Sequence, residues 1–439
     1  MATSQAVPAR GQLMRDRNFR WLIAGSLISM LGDQFSLIAL PWLVLQMTGD
    51  TLVLGTVLAL MSVPRALLIL LGGALVDRHS PKRVLMLTKH VNTLLLALLA
   101  ALVFGGQLHL WMVYALSLAI GLATAFSIPA ATSIMPHVVA RELLPAANGV
   151  AMGLRQLAMF AGPLLAGVLI ALFGDGKGGI GGGGEDAGSA HGIAIAFALD
   201  AFSFALSAWT LSKVRSAAAP ANRQAVRQSV WAAVGDGLRY CWNDASLRTC
   251  FTYWAAVALF ISGPVQVAVP VLAGELGQGA AAFGALAGAH GAGTLIGVII
   301  TGMRPRMRIG SFGRTILLLD GMIGLLFIPL GLIGAAWQGM LLLLAIGVLG
   351  GFVQVTVYTW LQHHVTPPML GRAMAMFMFI FLGIAPMSSA LTGWLLRSVT
   401  LVQLFAFSGA VLVAIVLVAL GLSRMGKLAD PPAAPVLPS

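Results

Sequence analysis

Long apolar stretches recur along the whole chain and are separated by short polar connections. Each is long enough to cross a bilayer as a helix, for which about 20 residues suffice. Of the 439 residues, 59% are hydrophobic and only 9% are charged, which excludes a water-soluble fold. The sequence therefore predicts an all-α polytopic membrane protein with twelve transmembrane helices. The spans lie at approximately 20–46, 52–76, 83–104, 109–133, 146–173, 193–212, 249–272, 281–303, 314–335, 338–361, 372–396 and 400–423.

Lys and Arg residues are distributed unevenly between the two ends of these spans. The side of the N-terminus holds 22 of the 26, Lys89 among them, whereas the opposite side holds only Lys177 and Arg397. Arg65 and Arg155 fall inside spans. Basic loops remain in the cytoplasm, so both termini are predicted to be cytoplasmic. The net charge of +12 is therefore a topology signal and does not indicate binding of nucleic acid.

A weak internal repeat divides the spans into two sets of six. Aligning Pro41 with Pro270 also aligns Gly55 with Gly284, and a six-plus-six repeat is typical of transporters. Residues 174–192 are predicted to form a flexible, glycine-rich outer loop. The predicted domains are an N-terminal six-helix bundle at 1–212, a cytoplasmic linker with an amphipathic helix at 213–248, a C-terminal six-helix bundle at 249–425 and a disordered tail at 426–439.

Residue types that would support catalysis or cofactor binding are not grouped in the sequence. No nucleophile–base pair, metal cluster or Gly-x-x-x-x-Gly-Lys-Ser/Thr phosphate loop is recognisable. Cys241 and Cys250 lack metal-ligand spacing and are interpreted as reduced structural residues. We expect neither an enzyme nor a bound cofactor or metal.

The segment GGALVDRHSPKRVL, residues 72–85, lies between spans two and three. It resembles the signature loop of the major facilitator superfamily, with Gly73, Asp77, Arg78, Lys82 and Arg83 as the matching residues. Glycine allows close helix contact, and an aspartate can stabilise the N-terminus of a neighbouring helix. The resemblance implies a cytoplasmic gate, with the span that opens at residue 372 as the partner of the aspartate. An ordinary basic loop is the alternative.

A second motif, FAGPLLAG at residues 160–167, lies in span five. It resembles the motif of superfamily antiporters, to which Gly162, Pro163 and Gly167 would contribute. Proline bends a helix and glycine permits close packing, so that such helices can seal one side of a cavity. Because Gly and Pro are common in membrane helices, ordinary packing is the alternative.

Longer blocks resemble one branch of the superfamily, which includes the enterobactin exporter and the macrolide-efflux proteins. They include RNFRWLIAGSLISMLGDQFSLIALPWLVLQMTG, SIPAATSIMPHVV, ELLPAANGVAMGLRQLAMFAGPLLAG and GRAMAMFMFIFLGIAPMSSALTG. The resemblance implies the major facilitator fold of two six-helix bundles, but it does not identify a substrate. Span four lacks the intramembrane arginine that drug antiporters of the superfamily often use in proton coupling.

Four charged residues fall inside spans of the first half, namely Asp33, Arg65, Arg155 and Asp200. Each lies 12 to 14 residues from a basic or acidic residue at the inner face, which corresponds to a common depth of about 20 Å. In the resembling fold spans one, two and five border the central cavity, so Asp33, Arg65 and Arg155 are expected to form the central cluster. Asp200 is expected to be a structural partner.

We hypothesise that Asp33 takes up a proton when a conformational change withdraws Arg65 or Arg155. The alternative is a static salt bridge that only orients helices. His290 in span eight is a second candidate for proton coupling, against the ordinary alternative of a packed, hydrogen-bonded histidine. Asp320 is expected to pair with the basic loop at the inner face.

Substrate contacts are expected on spans one, four, seven and ten, which line the cavity of the resembling fold. The candidates are Gln34, Thr124, Gln266, Gln354 and Tyr358, in a pocket that is otherwise apolar and rich in Met and Phe.

The predicted function is export of a small amphipathic compound, a drug or siderophore-like metabolite, by proton antiport with alternating access. The alternative is a specific metabolite or nutrient transporter without proton coupling, and a non-transporting membrane sensor would require an additional soluble domain. The expected partners are the lipid bilayer of a bacterial-type inner membrane, protons and one small molecule, with a monomeric chain.

Overall fold

The computed structural model describes residues 9–78, 80–173, 187–215, 230–277, 279–304 and 307–428. Within these ranges the chain is helical, without a strand, and contains twelve helices long and apolar enough to cross a membrane, as predicted. The α-helices are α1 Ala9–Arg15, α2 Arg17–Thr48, α3 Thr51–Arg78, α4 Pro81–Phe104, α5 Leu110–Ser133, α6 Leu144–Phe173, α7 Ala187–Lys213, α8 Val230–Asn243, α9 Ala245–Gly263, α10 Val269–Glu275, α11 Gly279–Met303, α12 Phe312–Phe327, α13 Ala336–His364, α14 Pro367–Leu395 and α15 Leu401–Leu422.

Local signals in the sequence determine where several of these helices begin and end. Asp16 caps α2, because its carboxylate accepts hydrogen bonds from the backbone N–H groups of Asn18 at 2.7 Å and Phe19 at 3.2 Å. Gly49 ends α2 in the left-handed conformation with φ of 62°, which glycine adopts without a steric penalty. Asp244 caps α9 in the same way as Asp16 caps α2.

The chain divides into two compact units, of which the first comprises Met1–Gln228 and Val269–Gly288. In this unit α2 packs against α6 and α7, α4 packs against α5 and α7, and α3 packs against α5. Helix α7 therefore lies against both α2 and α4, the two helices whose polar side chains are described below.

The second unit comprises Ser229–Ala268 and Ala289–Ser439. Here α9 packs against α14 and α15, and α12 packs against α13 and α15. Aromatic side chains fill part of its core: Phe312 stacks on Trp360 with ring centroids 4.9 Å apart. A π-helical turn at Pro264–Ala268 follows α9 and leads into α10, so the seventh span is interrupted.

The domain boundaries predicted from the sequence stay predictions. Helix α8 lies within the predicted linker 213–248. Of the predicted glycine-rich loop 174–192, residues 174–186 lie outside the described residues, and α7 begins at Ala187. Of the predicted tail 426–439, only residues 426–428 are described.

Close contact between α11 and α13 in the second unit depends on paired glycines. A Cβ atom added to Gly293 or Gly297 would lie 2.0 or 2.2 Å from a backbone carbonyl oxygen of α13. A Cβ atom added to Gly347 or Gly351 would lie 2.2 or 2.3 Å from a backbone carbonyl oxygen of α11. Both helices thus carry a Gly-x-x-x-Gly pair, which allows their backbones to touch.

Two adjacent glycines of α13 give a test of this contact. We expect Gly351→Ala to lower the unfolding free energy by about 1–3 kcal/mol, because the added methyl group forces two backbones apart. Gly350→Ala is the matched control, since a Cβ atom there would meet nothing within 4 Å. Thermal unfolding of the purified protein in detergent measures both, and equal melting temperatures for the two variants would contradict the proposed contact.

Candidate functional site

Asp33 lies in the middle of α2 and is accessible, although protein atoms surround it. A carboxylate facing lipid would be costly, so this accessible surface is expected to face a water-filled crevice. Three cations act on it electrostatically, in decreasing order Lys89, Arg65 and Arg155. Among the described residues, none of them makes a direct ion pair with Asp33. The structure thus brings the predicted charges together without the contact that a static salt bridge requires.

Arg65 and Arg155 differ in how far they are enclosed. Arg65 of α3 is half-buried, and its Nε atom is buried without a hydrogen-bond partner. Arg155 of α6 is exposed. An unsatisfied buried donor is costly, so the Arg65 guanidinium is a group from which a ligand or water oxygen would gain a hydrogen bond.

Lys89 corrects the sequence interpretation. The prediction that it belongs to the basic residues at the inner face is wrong, because it lies in the third turn of α4 and only 7% of it is exposed. Its Nζ atom donates a hydrogen bond to Ser29 Oγ at 3.2 Å and lies 5.5 Å from the ring centroid of Phe204. These contacts tie α4 to α2 and α7.

Asp200 of α7 is fully enclosed, and hydroxyl groups satisfy its carboxylate. Ser36 of α2 and Ser203 of α7 both donate hydrogen bonds to it. Gly32 makes this possible, since a Cβ atom there would lie 1.9 Å from Ser203 Oγ and 2.6 Å from Asp200 Oδ1. Asp33 is within electrostatic range of Asp200. Asp200 therefore joins α2 to α7 beside Asp33.

His290 and Asp320 are titratable side chains of the second unit that the sequence analysis singled out. The ring of His290 hydrogen-bonds to the backbone of Leu343, while its Nδ1 atom is buried without a hydrogen-bond partner. Asp320 was expected to pair with the basic loop, and this is wrong: it is 5% exposed and accepts a hydrogen bond from the Tyr253 hydroxyl at 2.7 Å. The Asp320–Tyr253 pair is a satisfied contact between α12 and α9.

The candidate substrate residues occupy different environments. In the first unit, Gln34 is half-buried beside Gly162, and the hydroxyl of Thr124 donates to a backbone carbonyl of its own helix. In the second unit, Gln266 lies in the π-helical turn and its Oε1 atom accepts a hydrogen bond from Ser389 at 3.5 Å. Gln354 is exposed on α13, and the half-buried ring of Tyr358 lies edge-on to Phe377.

The residues of the gate motif are only partly described. Gly73, Asp77 and Arg78 belong to the last turns of α3, but the side chains of residues 69–79 lie outside the described part of the structure. Arg83 is exposed. Lys82 donates hydrogen bonds to the carbonyl oxygens of residues 214 and 212, at 2.6 and 3.4 Å, and so satisfies the C-terminal end of α7.

The predicted partner helix of the gate extends beyond its membrane span at the N-terminal end. Helix α14 begins at Pro367, whereas its candidate membrane span begins at Arg372, the residue predicted for the start of the span. Arg372 forms an ion pair with Asp236 of α8 at 3.4 Å, and its side chain packs on Gly237. Helix α8 is therefore attached to the beginning of α14 within the second unit.

The antiporter-like motif forms a close helix contact within the first unit. A Cβ atom added to Gly167 would lie 2.8 Å from the Cα atom of Gly284 and 2.9 Å from the carbonyl oxygen of Ala280. The carbonyl oxygen of Pro163 would lie 2.5 Å from a Cβ atom at Gly284, and Gly162 packs against Gln34. The motif residues thus allow α6 to touch both α11 and α2.

Both cysteines are free and buried. Burial, and to a lesser extent the nearby Asp244 carboxylate, raises the pKa of the Cys241 thiol to about 11. A thiol of such high pKa is un-ionised at neutral pH and a poor nucleophile or metal ligand.

The sequence analysis did not predict that Lys89 is buried or that its hydrogen-bond partner is Ser29 on α2. A signal was present: Thr88, Lys89, Asn92, Leu96 and Leu99 recur with helical spacing, and all five are buried. The spacing could have placed the lysine on the packed face of α4.

Comparison with known proteins adds relatives in sequence and structure. The family model described as Major Facilitator Superfamily matches residues 22–390. Multidrug efflux pump Tap of Mycobacterium tuberculosis (strain ATCC 25618 / H37Rv) is 28% identical over 241 residues, which cover 52% of this chain and 52% of that protein. Macrolide efflux protein A of Streptococcus pyogenes is 25% identical over 155 residues, covering 35% of this chain and 38% of that protein. The chain thus spans about half the length of the first relative and less of the second.

Two solved structures share the fold at low identity. The D-xylose–proton symporter superimposes with a TM-score of 0.71 at 11% identity, covering 93% of this chain and 99% of that one. A bacterial homologue of the iron transporter ferroportin, in an inward-facing state, superimposes with a TM-score of 0.64 at 18% identity. The match covers 92% of this chain and 97% of that one. These neighbours are transporters, not enzymes. Since the family model covers most of its length, the chain belongs to the Major Facilitator Superfamily.

Proposed function

We propose that this transporter exports a small amphipathic compound, a drug or siderophore-like metabolite, by proton antiport with alternating access. One observation carries the proposal: the Asp33 carboxylate is accessible, lies within range of three cations and makes no direct ion pair among the described residues. Such a carboxylate is available to a proton.

The physical basis of coupling is the dependence of a carboxyl group on its surroundings. A nearby cation favours the charged carboxylate, and exclusion of water disfavours it. When rearrangement of the helices changes the distances from Asp33 to Arg65 and Arg155, the same group can bind a proton in one state and release it in another. His290 is the second candidate in the proposal, because its buried Nδ1 atom is unpartnered.

Export is supported by the names of two sequence relatives, an efflux pump and an efflux protein. The close contact at Gly162, Pro163 and Gly167 supports it as well, because helices in such contact can seal one end of a transport path. We propose that the residues of the gate motif, Asp77 and Arg78 foremost, close the other end of the transport path.

The substrate is proposed to contact Gln34, Thr124, Gln266, Gln354 and Tyr358. Their amide and hydroxyl groups suit a ligand with a few polar groups on an apolar body. The proposal includes a monomeric chain in a bacterial-type inner membrane with cytoplasmic termini. A specific metabolite or nutrient transporter without proton coupling is the competing function, and the measurement below separates the two.

Asp33→Asn tests the proposal directly. We expect substrate-driven proton flux in wild-type proteoliposomes with an imposed pH gradient and an enclosed pH-sensitive dye, and its loss in the variant, because an amide cannot carry the proton. Dyes, macrolides and siderophores serve as the substrate panel. Asp320→Asn is the matched control, since its amide oxygen can still accept the Tyr253 hydrogen bond.

Substrate movement that is equal in wild type and Asp33→Asn, without proton flux in either, would contradict antiport. It would identify an uncoupled carrier in which Asp33 has only a structural role.

Gly167→Ala tests the antiporter-like motif. The added methyl group would press on the backbone of α11, so we expect a loss of about 1–3 kcal/mol in unfolding free energy and slower transport. Gly153→Ala on the same helix is the control, because a Cβ atom there would meet nothing within 4 Å. If both variants transport and melt alike, the motif has no special role.

A further inference from the structure

The position of the Lys89 ammonium relative to the two carboxylates of the first unit has a simple geometric basis. Lys89 Nζ contacts Ser29 on α2 and the Phe204 ring on α7. Ser29 precedes Asp33 by four residues, and Phe204 follows Asp200 by four residues. Residues four apart lie on one face of a helix, about 5–6 Å from each other. The ammonium is therefore held about one helical turn from both carboxylates.

A lysine side chain can cover such a distance. Its charge sits at the end of a flexible four-carbon stem, and its three donors can turn toward different acceptors. Ser29 is a neutral acceptor, at a length of 3.2 Å, so this hydrogen bond is weaker than one to a carboxylate. Lys89 could therefore exchange its contact with Ser29 for one with the Asp33 carboxylate.

The other charged groups near Lys89 do not offer it a closer partner. The charged groups around the Asp33 and Asp200 carboxylates are those two acids with Arg65 and Arg155, and of the four Asp33 acts on Lys89. Among the cations that act on Asp33, Lys89 has the largest effect. Among the described residues, Asp33 is thus the charged group that attracts the Lys89 ammonium.

We propose that Lys89 is a positioning residue for the proton site: its ammonium moves from Ser29 to the Asp33 carboxylate when that group is charged, and returns to Ser29 when Asp33 binds a proton. The proton itself passes between the accessible Asp33 carboxylate and water, and Lys89 keeps its charge throughout. This inference rests on the proposed proton coupling through Asp33.

The second unit contains a buried titratable residue at the same distance from a helix N-cap as Lys89. Ser80 and Ser311 are the N-cap residues of α4 and α12, and Lys89 and Asp320 each follow nine residues later. Asp320 is satisfied at this position by the Tyr253 hydroxyl. Asp320 therefore serves as a control, a buried acidic residue nine residues after a helix N-cap with a stable neutral partner.

The test is the pH profile of substrate-driven proton flux in proteoliposomes. Lys89→Met removes the cation that favours charged Asp33, so proton binding should tighten about tenfold and the midpoint should move up by about one pH unit. Ser29→Ala removes the hydroxyl acceptor and leaves the Lys89 ammonium with the Asp33 carboxylate. The midpoint of the pH profile should therefore move to lower pH. Lys89→Arg retains a cation, and its midpoint should stay closer to that of wild type. Asp320→Asn should keep the wild-type profile.

Opposite shifts for Lys89→Met and Ser29→Ala would support the inference, because a purely structural role would lower the melting temperature without moving the midpoint. Ser29→Ala decides the matter if Lys89→Met does not fold. Unchanged midpoints in both variants, or equal shifts for Lys89→Met and Lys89→Arg, would overturn it. A wild-type protein without proton flux would refute the proposed function and this inference together, whereas flux that is lost in Asp33→Asn with unshifted variants would refute this inference alone.

Discussion

The hydrogen bonds between α2 and α7 require two closely packed helices, inside a phase where water cannot satisfy polar groups. Ser207 donates to the carbonyl oxygen of Gly25 at 2.6 Å, and a Cβ atom at Gly25 would lie 2.0 Å from the Thr210 hydroxyl oxygen. With the contacts at Gly32, these bonds fix the register of α7 on α2. That register determines where the carboxylates and the ammonium of the first unit stand relative to one another.

Much of the architecture could be predicted from sequence, because the number of spans depends only on apolar length. The family could be recognised as well, because its motifs combine residue type with spacing. The surroundings of individual side chains could not be predicted from the sequence. Counting residues gives depth along a helix but not the face on which a side chain lies, and for this reason Lys89 and Asp320 were assigned to the inner face. A lysine near the end of a span can extend to the interface, and α4 instead turns Lys89 toward α2 and α7.

The candidate site could likewise be predicted from the sequence only in part. The common depth of Asp33, Arg65 and Arg155 could be derived from the chain, and the structure brings these side chains into electrostatic range. Two further features needed coordinates, the missing direct ion pair among the described residues and the unpartnered Arg65 Nε atom. Because neighbours with the same fold carry different molecules, such details of charge, and not the fold, bear on what is transported.

The paired glycines of α11 and α13 also restrict how this chain can change during evolution. In most packed interfaces a larger side chain can be accommodated if a neighbouring side chain becomes smaller. Here the atoms that a new Cβ would strike are backbone carbonyl oxygens, which no substitution removes. A second mutation therefore cannot compensate for a first at Gly293, Gly297, Gly347 or Gly351. These four positions are closed to compensatory substitution, so divergence between related sequences is expected to be concentrated elsewhere on the two helices.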